Sequence, residues 1–207
     1  MISSSRAARW AVVAVLLGCQ SGDLTPRPPI APDAASYVIW GRAIDFESSG
    51  TREFEQVSSQ FDLFYGQTLI LPWPEVETEA RIRRWKEEMP DLRDDTVEAF
   101  ILGTRASSDI DAHRLVTAFP ARPARPEEMS WYYLLTDKAE PAASGLFCVS
   151  EVGYAGDRSQ ALVLVQSARA GVDAPFGLLL LFRAEPAGWK VSDYVMQPSI
   201  PAEFLPH

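Results

Sequence analysis

The chain has 207 residues, 47% of them apolar, with 19 basic against 28 acidic side chains and a formal net charge of −9. That apolar fraction suits one packed globular core, and the negative balance disfavours nucleic acid and anionic lipid surfaces as partners, since both are polyanions. No apolar stretch approaches the roughly 20 residues of a spanning helix, which excludes a multi-pass membrane protein.

The first segment is an address. Arg6 and Arg9 precede an uninterrupted apolar run, Trp10 to Leu17 (WAVVAVLL), with no acid before it. A positive start followed by about 7–15 apolar residues is the pattern of a secretory signal. The next residues, Leu16-Leu17-Gly18-Cys19, resemble the bacterial lipobox: an aliphatic residue three places before the cysteine and a small one just before it. The resemblance implies cleavage between Gly18 and Cys19, diacylation of the Cys19 thiol and acylation of the new amino terminus. One acyl chain holds a protein to a bilayer marginally and two hold it stably, at about 0.8 kcal/mol per buried methylene. Gln20 rather than Asp after the cysteine implies the outer membrane, facing the periplasm, in a Gram-negative host. Loss of residues 1–18 would leave 17 basic against 28 acidic side chains. The organisation expected is a signal peptide over 1–18, a lipidated cysteine with a tether over 19–36, and one globular domain over 37–207. The tether reading rests on Gln20 to Ser36, where five of 17 residues are proline or glycine.

Within the domain, "YVIWGRAIDFE" fits a helix or a strand; Tyr37, Trp40, Ala43 and Ile44 share one helical face, which favours the helix. "QTLILPW" (Gln67 to Trp73) reads as a strand closed by Pro72 and Pro74. "EVETEARIRRWKEEM" carries acids in its first turn, bases later and Pro90 behind it, the marks of a helix. "DLRDDTVEAFILGTR" reads as a second helix, with Val97, Phe100 and Ile101 at helical spacing and Gly103 at its end. "RLVTAF" (Arg114 to Phe119) reads as a strand and "PARPARPEE" (Pro120 to Glu128) as a proline-rich loop. Four strand-like runs follow: "GLFCVSEVGY", "QALVLVQSA", "FGLLLLFRAE" and "WKVSDYVMQ". The breaks between them hold turn residues and are short, which predicts sequential antiparallel pairing. The second and third runs are apolar nearly throughout, so both their faces should be partly covered. The fold class expected is α+β, with N-terminal helices packed on a C-terminal antiparallel four-stranded meander.

"VSEVGYAGDRSQALVLVQ" (Val149 to Gln166) and "GLLLLFRAEPAGWKVSDYVM" (Gly177 to Met196) resemble a family of uncharacterised bacterial proteins, often lipoproteins. Their pattern joins a serine-x-valine-glycine-aromatic turn to alanine-leucine-valine and tryptophan-lysine-valine strands. "MPDLRDDTVEAFILGTRASSDID" resembles the helix and polar turn upstream in the same family. The sequence departs from the pattern at Glu151, where arginine is usual, and at Tyr154, where phenylalanine is usual. The resemblance implies a fold and an envelope setting, and no particular activity.

Chemistry-bearing residues are few. The chain contains two histidines, His113 and His207, and no HExxH, CxxC, GxSxG or P-loop pattern. Asp109, Asp111 and His113 alternate in "SSDIDAHR"; in an extended chain they would share one face and could ligate a metal, whereas a polar loop would simply solvate them. Glu75, Glu77 and Glu79 read as solvated acids favouring a helix start. With Cys19 assigned to the anchor, Cys148 is the remaining thiol, and its apolar neighbours mark it as a small buried hydrophobe. The expectation is a lipid-anchored envelope protein acting as a non-enzymatic binding module, with no cofactor and no catalytic residues nameable from sequence. Its partners would be the membrane, through the lipid, and an unspecified protein or small ligand. The alternatives are an envelope hydrolase with dispersed catalytic residues and a structural spacer.

Overall fold

The computed structural model describes residues 32–55, 61–71, 73, 75–125, 128, 143–168 and 176–198. These form three helices, α1 (Ala34–Glu55), α2 (Glu75–Glu88) and α3 (Asp94–Gly103). The strands are β1 (Phe61–Phe64), β2 (Ala121–Pro123), β3 (Ala143–Val149), β4 (Gly153–Tyr154), β5 (Gln160–Ala168), β6 (Phe176–Glu185) and β7 (Gly188–Pro198). All seven strands belong to one mixed sheet in the order β2-β1-β3-β5-β6-β7, with β4 also paired to β5. The α+β class therefore holds, but the expected four-stranded meander does not stand as a separate unit. Its strands are extended by β1 and β2, which run parallel to each other, and β1 is also parallel to β3.

Alternation along β5 and β6 explains why both strands are apolar throughout. Ala161, Val163 and Val165, with Leu178, Leu180 and Phe182, face Tyr37, Ile39, Trp40, Ala43 and Ile44 of α1. Leu162, Leu164, Leu179 and Leu181 face the other way, against Trp85 of α2, Met89 just after it, and Val97 and Phe100 of α3. Each buried leucine, valine or phenylalanine here contributes about 1.5–3 kcal/mol by leaving water, so the covered centre of the sheet contributes heavily to stability. The helix α1 opens at Ala34, inside the segment read as tether.

The helices α2 and α3 form where their end signals predict. The amide of Met89 donates to the Trp85 carbonyl (2.7 Å) just before Pro90. The first residues of α3, Asp94 and Asp95, complement its dipole. Arg93 stands at the N-cap without a side-chain cap, and its amide is taken instead by the Gln160 side chain from β5 (3.0 Å).

Two strand expectations are corrected. Among its described residues "QTLILPW" forms isolated bridges at Gln67 and Leu69 and no strand, and the strand lies earlier, at Phe61–Phe64. The slot beside β3 is filled by a segment containing the fully buried Asp62, which local pattern disfavours for a core strand. "RLVTAF" is not a strand; the chain turns at Ala112–Arg114, and the Ala118 amide is taken by the Asp45 carboxylate (2.8 Å). Instead β2 forms inside the proline-rich segment. Pro120 offers its carbonyl to the Asp62 amide, and the Ala124 amide donates to the Phe64 carbonyl, both at 2.8 Å. At this outer edge the Pro123 nitrogen needs no ladder partner.

The opposite edge, β7, is guarded by side chains. The Tyr194 amide donates to the Asp193 carboxylate (2.9 Å), and Arg84 of α2 donates to the Met196 carbonyl (3.5 Å). These bonds satisfy groups that would otherwise template another strand. Among the described residues no helix is long and apolar enough to cross a membrane.

Candidate functional site

The lipidation and cleavage residues, Cys19 and Gly18, lie outside the described residues. Asp109, Asp111 and His113 lie within them, and the turn at Ala112–Arg114 replaces the extended chain that would have aligned them. The Asp109 carboxylate accepts from the Gln67 side chain (2.9 Å). The Asp111 carboxylate accepts from the His113 amide (3.0 Å), and its own amide donates to the Tyr37 hydroxyl (3.2 Å). All three side chains are exposed, and among the described residues no three potential ligands are grouped to hold a metal ion.

Beside this loop lies a polar node centred on Glu151. Val149 faces Val165 and Gly153 faces Leu162, so four steps along one strand meet three along the other. That is a bulge, and it reverses which residues face α1. Before it, Phe147 and Val149 pack toward α1; after it, Val152 and Tyr154 do. Glu151 is thereby kept out of the α1 core and meets the 68–108 junction. Its carboxylate accepts from the Thr68 hydroxyl (2.9 Å) and from the Ser108 side chain. Thr68 oxygen in turn accepts from the Ser108 amide (2.8 Å), and the Ser107 hydroxyl donates to the Thr68 carbonyl (2.7 Å).

Burial pushes the Glu151 carboxyl above its usual range, and the hydroxyls of Ser108 and Thr68 and the Val152 amide only partly offset this. Among the described residues no cation acts on it. Glu151 is half-buried, and it is this partial burial that raises its carboxyl. The arrangement does not supply a nucleophile, because Thr68 is 0% and Ser108 9% exposed. What it does is join three chain segments through one titratable group. A carboxyl held above its unfolded value adds stability that is fully present below that unfolded value and is lost as pH rises through the folded one. Glu151→Gln retains an acceptor and cannot ionise. In thermal unfolding from pH 4 to 8, it should be at least as stable as the parent at pH 8, with the difference closing near pH 4. A variant less stable than the parent at pH 8 would show that the ionised carboxylate stabilises the junction.

A second polar seam lies under α1. The Ser167 hydroxyl donates to the Glu47 carboxylate (2.6 Å), and Ser48 donates to Asp62 (3.3 Å). All four side chains are buried. Nearby, burial raises the Asp45 carboxyl; the Ala118 amide lowers it and the Asp62 charge raises it further. Buried acids of this density cost stability unless hydrogen-bonded, so the seam fixes how α1 sits rather than merely that it is buried.

Cys148 is buried in β3 as expected, and burial pushes its thiol up to about 12, which removes thiolate reactivity near neutral pH. In the sequence Glu151 stands out as a departure from the family pattern, and the seam does not stand out at all. For Glu151 a further signal existed: an acid between Ser150 and Val152 in "VSEVGY", close behind the apolar run "LFCV". For Glu47 and Asp62 the neighbouring sequence carries no comparable mark.

No protein-family model matches the chain, and no match was found among curated proteins or solved structures. The resemblance to the bacterial lipoproteins therefore rests on the quoted residues alone.

Proposed function

We propose that this is a lipid-anchored protein of the bacterial envelope whose domain works as a non-enzymatic binding module at the periplasmic side of the outer membrane. The observation that carries this reading is the run Leu16-Leu17-Gly18-Cys19 behind a basic and apolar leader. The proline-rich stretch after Cys19 supports it, since such a composition suits a spacer between lipid and domain. The character of the polar groups also supports binding over catalysis. The hydroxyls nearest the perturbed carboxyl are buried, and the exposed Asp109, Asp111 and His113 are spread along a turn.

Cys19→Ala in the native host tests the anchor. The variant should lose palmitate labelling and leave the membrane fraction. Palmitate incorporation that persists in Cys19→Ala would overturn the assignment. In-cell crosslinking followed by affinity capture tests the module. One partner recovered in stoichiometric amount supports it, and recovery no greater than from a control lipoprotein disfavours a stable protein partner.

A further inference from the structure

The turn between β4 and β5 holds the one described non-glycine residue with positive φ, Arg158 at 56°. The turn closes through the Ala155 amide on the Gln160 carbonyl and the Arg158 amide on the Ala155 carbonyl, both 2.9 Å. A left-handed position in such a turn favours glycine or asparagine. An arginine there is strained, and its side chain explains its presence. The guanidinium stacks over the Tyr154 ring at 4.8 Å and forms an ion pair with Asp33. Asp33 is the residue that opens α1: its carboxylate accepts from the Ser36 amide (2.9 Å) and the Ser36 hydroxyl (3.0 Å). The Tyr154 hydroxyl closes the ring, 3.1 Å from the Ser36 hydroxyl oxygen. Tyr154 itself leans on Trp189 of β7, with ring centroids 5.8 Å apart.

Two pairs of side chains distant in sequence, Asp33 with Ser36 and Tyr154 with Arg158, thus tie the first turn of α1 to the hairpin of β4 and β5. We propose that Arg158 is the latch of a conformational clasp that holds the root of the N-terminal segment against the sheet. Motion or load entering at Asp33 then passes into β5, near the centre of the sheet, instead of fraying α1 from its first turn. The latch stands on this geometry; its use as the root of a membrane tether rests on the lipid-anchor reading.

Amide hydrogen exchange on the full-length chain, in detergent micelles, tests the latch. Arg158→Gly suits the backbone of the turn and removes only the side chain. Asp33→Asn keeps a good helix cap and removes the charge. Relative to the parent, the amides of residues 36–40 should exchange about tenfold faster in Arg158→Gly, which loses both the ion pair and the stacking on Tyr154, and about threefold faster in Asp33→Asn, which loses the ion pair alone, with the amides of residues 162–165 unchanged. Exchange at 36–40 within about twofold of the parent in both variants overturns the latch. So does acceleration at 36–40 matched by equal acceleration at 162–165, which would report a global loss of stability. If Arg158→Gly does not fold, Asp33→Asn decides alone. Failure of the lipid-anchor reading would appear separately, as palmitate labelling that survives in Cys19→Ala.

Discussion

Gly153→Ala should lower the unfolding free energy by about 3 kcal/mol or more, read as a drop in the urea midpoint. A β-carbon at this position would lie 2.3 Å from the Phe100 nitrogen and 2.4 Å from its α-carbon. Those atoms are helix backbone and cannot swing aside, so α3 itself must move. Phe100 would move with it, away from Trp73 and Trp85, whose rings it meets at 6.1 Å. The bonds from Arg93 and Thr96 to the Gln160 side chain would stretch as well. Gly156→Ala is the matched control, because its new carbon would meet nothing nearer than an Asp95 carboxylate oxygen at 3.6 Å. It should change stability by less than about 0.5 kcal/mol. Equal effects from the two substitutions would mean that α3 does not rest on the strand at Gly153.

Trp40→Ala should cost about 4 kcal/mol, a large share of a typical domain's stability of about 5–15 kcal/mol. Trp40 is 0% exposed, packs edge-on to Tyr37 at 5.1 Å and donates its indole N–H to the Ser150 carbonyl at 2.9 Å. The bonded carbonyl belongs to the bulge, so this one side chain fills the α1 layer and also fixes the irregular part of the strand. Trp40→Phe separates the two roles. It keeps most of the apolar volume and leaves the Ser150 carbonyl without that donor, for a cost of about 1–3 kcal/mol. If Phe proves as costly as Ala in thermal and urea unfolding, the hydrogen bond outweighs the packing.

These predictions fall where local sequence pattern and tertiary structure part company. The helices α2 and α3 were legible because their signals are local: acids at the start, Pro90 and Gly103 at the ends, apolar residues at helical spacing. β5 and β6 were legible because two-sided burial leaves an unbroken apolar run. β1 was not, because its four residues include Asp62, whose burial is supported from a distant element, by Ser48 of α1. β2 was hidden by its prolines, which an outer edge accepts and a central strand would not. The alternation of Asp109, Asp111 and His113 was real as spacing, but the chain turns there, and spacing along an extended strand had no bearing on it.

By itself the sequence determined the charge balance, the lipobox-like leader, the two long helical patterns at α2 and α3 and the twofold apolar character of β5 and β6. Each depends on residue type and on neighbours within a few turns of chain. The tertiary structure alone decided that parallel β1 and β2 extend the sheet, that a bulge turns Glu151 toward Thr68 and Ser108, and that Gly153 lies against Phe100. It also decided that Arg158 reaches Asp33. In these cases partners separated by tens of residues or more set the energy of a burial, a hydrogen bond or a close approach, and no local pattern records which partner will be there.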